Sequence, residues 1–146
     1  MINLSRDDQN SKSEALLLKS KVHRNLKKYM ENVVEESVIV SRPHGTKYKS
    51  SFMFSHESKN YAVVCKFQFS QGSVDFKIPY EVISLSHCIC SSPNLHGGFL
   101  VLAGQGYSKG MKQFILGELG GWINIPPTLK IVTYHDFVRL IRSQNL

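Results

Sequence analysis

The sequence contains no apolar run approaching the ~20 residues that a membrane-spanning helix requires, so a membrane protein is not expected. Its first residues, Met1 to Lys12, are polar and lack the apolar centre of a secretory signal; an intracellular location is expected, in cytoplasm, nucleoid or an organelle. Cysteine is scarce: Cys65, Cys88 and Cys90 are an odd number, which argues against a disulfide framework and for a reducing compartment. His87 and His96 lie near two of them, but Cys88 and Cys90 stand two apart on a predicted helix and would point to different sides, a poor spacing for zinc. Acidic residues are also few, 11 against 18 Lys and Arg, which leaves a net charge of +7. With 42% hydrophobic and 20% charged residues, the composition fits neither a disordered chain nor a membrane protein.

What is present matches one ordinary domain, long enough to bury roughly two-thirds of the surface of its unfolded chain. The basic surplus gathers at Lys19, Lys21, Arg24, Lys27 and Lys28, then at Arg42, Lys47 and Lys49. Such clusters suit a polyanionic partner, and they equally suit a solvated basic face.

Residues 1–10 read as a flexible arm and 11–146 as a single domain. Ser11-Lys12-Ser13-Glu14 has the spacing of a capping box, and Leu18, Val22, Leu26 and Tyr29 continue an amphipathic helix to about Asn32. Ser37 to Val40 predicts a strand leading into a basic loop, Ser51 to Phe54 a second, and Tyr61 to Phe69 a third that ends near Gly72. Pro79 suits the first turn of a helix carrying Val82, Ile83, Leu85 and Ile89. Phe99 to Leu102 is a continuous apolar run of the kind found in a strand covered on both faces, followed by the loop Gly104-Gln105-Gly106-Tyr107 and a helix over 109–119. Leu129 to Val132 predicts the last strand, and Thr133 caps a terminal helix. The order α-β-β-β-α-β-α-β-α calls for a mixed sheet flanked by helices.

Along the third strand, period-two alternation sets Val64, Lys66 and Gln68 on one face and Val63, Cys65 and Phe67 on the other. A lysine in so apolar a strand is costly to bury without a partner, so Lys66 either opens to solvent at an edge or serves a site. Val63-Val64-Cys65-Lys66-Phe67-Gln68, followed by Gln71-Gly72-Ser73 and Lys77-Ile78-Pro79-Tyr80-Glu81, resembles the third motif and following helix of PD-(D/E)XK nucleases of restriction and homing type. There a strand ends in Cys-Lys-aromatic-Gln, then a Gly-Thr or Gly-Ser turn, then Lys-aliphatic-Pro-aromatic-Glu. Element order extends the likeness over residues 11–142, and motif detail over 45–81.

The resemblance implies a restriction-endonuclease-like core and hydrolysis of a phosphodiester in duplex DNA by a water activated on Mg2+ or Mn2+, held by two carboxylates beside a lysine. Lys66 matches that lysine and Gln68 the motif's glutamine. The carboxylate two residues before the lysine is replaced by Val64, and Glu81, from the next helix, is the substitute the family suggests. A plainer account of Glu81 is a pair with Lys77 or a favourable place at a helix N-terminus. The family's second-strand aspartate falls on Ser51; another acid substitutes, or the residue was altered, or this branch no longer cleaves. Glu14 matches an accessory first-helix glutamate, as well explained by the capping box.

Arg42, Lys47, Lys49, Lys77, Lys109 and Lys112 are the candidate phosphate-gripping residues, since several converge on one proposed edge; ordinary solvated charge is the plainer alternative. By analogy with the family, a homodimer or higher homo-oligomer is expected. The expectation is a metal-dependent DNA endonuclease, impaired if Ser51 leaves the site one ligand short; the alternative is a nuclease-fold DNA-binding or structural subunit without metal chemistry. A third reading, Cys65 as a nucleophile, is disfavoured because that side chain is expected to face the core with no histidine beside it.

Overall fold

A computed structural model of the chain describes residues 6–68, 74–104 and 106–146. The turn expected at Gln71-Gly72-Ser73, and Gln105 of the glycine-rich loop, lie outside the described residues. The first helix, α1, spans Arg6–Tyr29, so Ser11 and Glu14 lie inside it and the expected capping box does not form its start. Residues 6–10 contain neither glycine nor proline, and a helix propagates through such a stretch at little cost. Val22 and Leu26 are fully buried, as the apolar spacing predicts.

The helix also stops earlier than its periodicity suggests. Asn32 takes a left-handed conformation (φ 52°), which asparagine tolerates, and Glu31–Glu35 becomes strand β1 with a break in register between Glu31 and Val34. Strands β2 (Val38–Ser41) and β3 (Lys47–Lys49) pair as a separate antiparallel ribbon. Strands β4 (Phe52–His56) and β5 (Lys59–Phe67) form a hairpin whose turn holds Glu57 and Ser58 at positive φ.

Helix α2 runs Val74–Ser91, with Pro79 inside it rather than in its first turn. One backbone hydrogen bond is forfeited there, while Val82, Leu85 and Ile89 are buried against the sheet as expected, joined by Ile78, and Ile83, expected inward, is exposed. Strand β6 (Gly97–Ala103) is buried throughout and pairs in parallel with β5 on one side and with β7 (Leu129–Thr133) on the other. The main sheet therefore has the order β1-β4-β5-β6-β7, antiparallel at one end and parallel at the other. Between β6 and β7, the expected single helix is a short α3 (Lys109–Gln113), a π-helical turn over 114–118 and a 3-10 turn over 119–121. Gly117, Gly120 and Gly121 weaken a regular helix here. Helix α4 (Tyr134–Ser143) begins as predicted, with the Thr133 hydroxyl accepting from the Asp136 amide.

Two apolar layers sandwich the sheet. One joins Ala62, Val64, Leu100 and Leu102 to α2, to Tyr48 of the ribbon and to Ile115 and Leu119. The other joins Phe52, Phe54, Val63, Phe99 and Val101 to α1 and α4. The alternation predicted along β5 is thus realised, with Val64 and Val63 on opposite layers and Cys65 beside the second.

Candidate functional site

Strand β5 carries Lys66 on the α2 side near its end, and α2 presents Glu81 to it. Lys66 Nζ lies 3.0 Å from Glu81 Oε1, with the carboxylate side chain only 10% exposed and the lysine 31%. Arg42 reaches the same oxygen from the ribbon, Nη2 to Oε1 at 3.8 Å, and its Nη1 donates to the Ser84 hydroxyl at 3.4 Å. Tyr48, turned inward between the exposed Lys47 and Lys49, donates its hydroxyl to Glu81 Oε2 at 2.9 Å. The Arg42 guanidinium also lies over two rings, 4.7 Å from the centre of Tyr48 and 5.6 Å from that of Tyr80. Tyr80, in turn, stacks on His44 and hydrogen-bonds His44 Nδ1 through its hydroxyl. The result is a cluster between the ribbon and α2, with two cations and a phenol gathered on one carboxylate.

The end of β5 is fixed by the loop after β6. Gln68 and Gly106 exchange contacts through the Gly106 amide (2.8 Å to Gln68 O) and the Gln68 side-chain amide (2.9 Å to Gly106 O). Tyr107 donates its hydroxyl to the Lys66 carbonyl at 2.9 Å. Gly104, at φ 99°, must be glycine: a Cβ there would sit 2.1 Å from the Gln68 carbonyl oxygen.

Burial, reinforced by the facing Glu81 carboxylate and its hydrogen bond, raises the Tyr48 phenol well above its ordinary range, so the ring stays a neutral donor. Burial likewise pushes the Cys65 thiol up to about 12 against opposing effects of Ser51, Lys19 and Lys66, and a thiol held protonated is a poor nucleophile.

Of the residues singled out from the sequence, Lys66, Glu81 and Arg42 meet. Glu81 pairs with Lys66 and Arg42 rather than with Lys77, which is exposed on α2. Ser51 stands at the edge of β4, where its hydroxyl accepts from the Cys65 amide at 3.0 Å. Lys47 and Lys49 point outward from the ribbon, and Lys109 and Lys112 are exposed on α3. Glu14 is exposed on α1, which packs on the other face of the sheet, and among the described residues no ion pair or hydrogen bond links it to Glu81. Tyr48, Tyr80, His44 and Ser84 were not anticipated as site residues. The Lys-Tyr-Lys alternation at 47–49 was a usable signal for Tyr48; nothing in the sequence places Ser84 under Arg42.

These side chains do not fit a divalent cation. Both oxygens of Glu81 are already taken by Lys66, Arg42 and Tyr48, Val64 offers no donor, and a lone serine hydroxyl is a weak ligand for a hard ion. Among the described residues, no three His, Cys, Asp or Glu side chains gather where an ion would sit.

A family model described as PD-(D/E)XK nuclease superfamily domain matches residues 10–137. No curated protein matches the chain in sequence. The small subunit of the heterodimeric restriction endonuclease R.BspD6I shares the fold, with a TM-score of 0.51 at 12% identity, over 88% of this chain and 68% of that one. A protein of unknown function, AF1548, aligns with a TM-score of 0.48 at 9% identity over 80% of this chain, which spans 56% of that one.

Proposed function

The chain belongs to the PD-(D/E)XK nuclease superfamily, and on that premise we propose that it binds duplex DNA through the nuclease fold as a subunit that does not cut it. Nucleases of this superfamily generally use divalent metals. The observation that carries the reading is the state of Glu81: one carboxylate, with both oxygens occupied by cations and a phenol, stands where metal chemistry calls for two free ones. The net charge of +7 supports a polyanionic partner, and Lys47, Lys49, Lys77, Lys109 and Lys112 are all exposed for phosphate contacts. Assembly as a homodimer or higher oligomer would place two such surfaces along one duplex.

A second reading is a DNA endonuclease working with Mg2+ or Mn2+, with Lys66 and Glu81 as catalytic residues, Gln68 and Ser51 beside them, and Glu81 and Glu14 as metal ligands. The approach of Lys66 to Glu81 favours it; the occupied carboxylate and the remote Glu14 weigh against it.

Binding is tested by fluorescence anisotropy of a labelled duplex over a salt series. A linear fall of log affinity with log salt is expected. No binding at low salt would overturn both readings.

A further inference from the structure

The cluster around Glu81 has the wrong sign for a cation. Lys66 and Arg42 supply two positive charges, and among the described residues Glu81 supplies the one negative charge in contact with them. Because both nitrogens approach the same Glu81 oxygen, they are close enough together for one tetrahedral anion to bridge them. Both side chains are partly open, Arg42 at 24% and Lys66 at 31% exposure, whereas the carboxylate lies behind them at 10%. Tyr80 and His44 form a partly exposed aromatic wall on the Arg42 side, suited to the sugar or base attached to a phosphate.

We propose that the Lys66–Arg42 pair is a metal-independent phosphate-binding site, in which Glu81, anchored by the Tyr48 hydroxyl, is a positioning residue that gathers the two cations side by side. This rests on the DNA-binding reading and deepens it by naming the group the two cations take: a single backbone phosphate, bound directly. Glu81 then has a role opposite to that of a metal ligand. A ligand's removal abolishes ion binding, whereas removing the charge of a positioning carboxylate beside a phosphate strengthens the phosphate's attraction to the two cations.

The test is calorimetric titration of the full chain with inorganic phosphate, and of Mn2+ followed by its paramagnetic resonance. Phosphate is expected to bind equally well with and without Mg2+, and to weaken about tenfold or more in Lys66→Met or Arg42→Ala, since hydrogen bonds between charged partners carry that much. Glu81→Gln, which preserves shape and keeps one acceptor oxygen for the cations while the Tyr48 hydroxyl can accept from the new amide, is expected to tighten phosphate binding severalfold, and Arg139→Ala, on the distant α4, to change nothing. Lys66→Met keeps the aliphatic stem and gives the decisive readout should Arg42→Ala not fold. Mn2+ binding that disappears in Glu81→Gln would overturn the proposal. So would phosphate binding unchanged in Lys66→Met. Failure of duplex binding with the phosphate results as expected would sink the DNA reading alone.

Discussion

Lys66 on β5 and Glu81 on α2 meet across the core edge at 3.0 Å, and Tyr48 closes the other carboxylate oxygen at 2.9 Å. A carboxylate so enclosed is structural as much as functional. Glu81→Ala would leave Lys66 facing Arg42 and strand the buried Tyr48 hydroxyl, which is expected to cost about 2 to 3 kcal/mol, below the full value for a buried pair because Lys66 is partly solvated. Tyr48→Phe removes one charge-assisted hydrogen bond and is expected to cost about 1 to 2 kcal/mol. Urea denaturation reads both; a cost under about 0.5 kcal/mol for Glu81→Ala would show that the cluster does not hold the ribbon to α2.

Gly104→Ala is expected to be more damaging than its size suggests. The residue adopts φ 99°, and the new methyl carbon would meet a backbone oxygen, Gln68 O, at 2.1 Å. Backbone on both sides leaves little room to yield, so a loss of about 2 kcal/mol or more is expected in thermal or urea melts, with Lys66 released from its fixed position.

Alkaline pH should destabilise the fold by way of Cys65. Burial pushes its thiol up to about 12 from an ordinary 9.0, so the proton is held more tightly by the folded chain. The stability that the protonated thiol contributes is therefore fully present below pH 9 and is lost as pH rises from 9 toward 12. Cys65→Ala is expected to flatten the first part of that decline, before the buried tyrosines contribute at higher pH. Urea midpoints from pH 7 to 10.5 measure it. In native protein at pH 8, the exposed Cys90 is expected to be alkylated well before Cys65 or the buried Cys88.

Much of this arrangement could be read from the chain, and the omissions share a cause. Local signals gave the strand around Lys66, the Thr133 cap and the sheet class, because period-two alternation and cap chemistry act over a few residues. The start of α1 at Arg6 has no local mark: Ser11 to Glu14 carries capping-box spacing, while residues 6–10 merely lack a helix breaker. The ribbon's docking on α2 was missed because it rests on Arg42 contacts to Ser84 and Glu81, far along the chain, for which no local pattern exists. Lys47 and Lys49 are close to Arg42 in sequence, yet they face outward while Arg42 turns to Glu81 and Ser84.

That division has a consequence for DNA. Lys47 and Lys49 touch no carboxylate among the described residues, so their replacement should spare the fold and act on phosphates alone. Lys47→Ala with Lys49→Ala is expected to weaken duplex binding equally for unrelated sequences and to reduce the salt slope by about 2. Anisotropy at several salt concentrations checks it; an unchanged slope would place the duplex elsewhere.

On the proposed reading, the occupied Glu81 site binds duplex DNA without cutting it. The most direct test is incubation of supercoiled plasmid with the native chain, Ser51→Asp and Lys66→Ala, each with Mg2+ and with Mn2+, scored for nicked and linear product. No nicking by the native chain with either ion is predicted. Nicking by the native chain that is absent in Lys66→Ala would contradict the account.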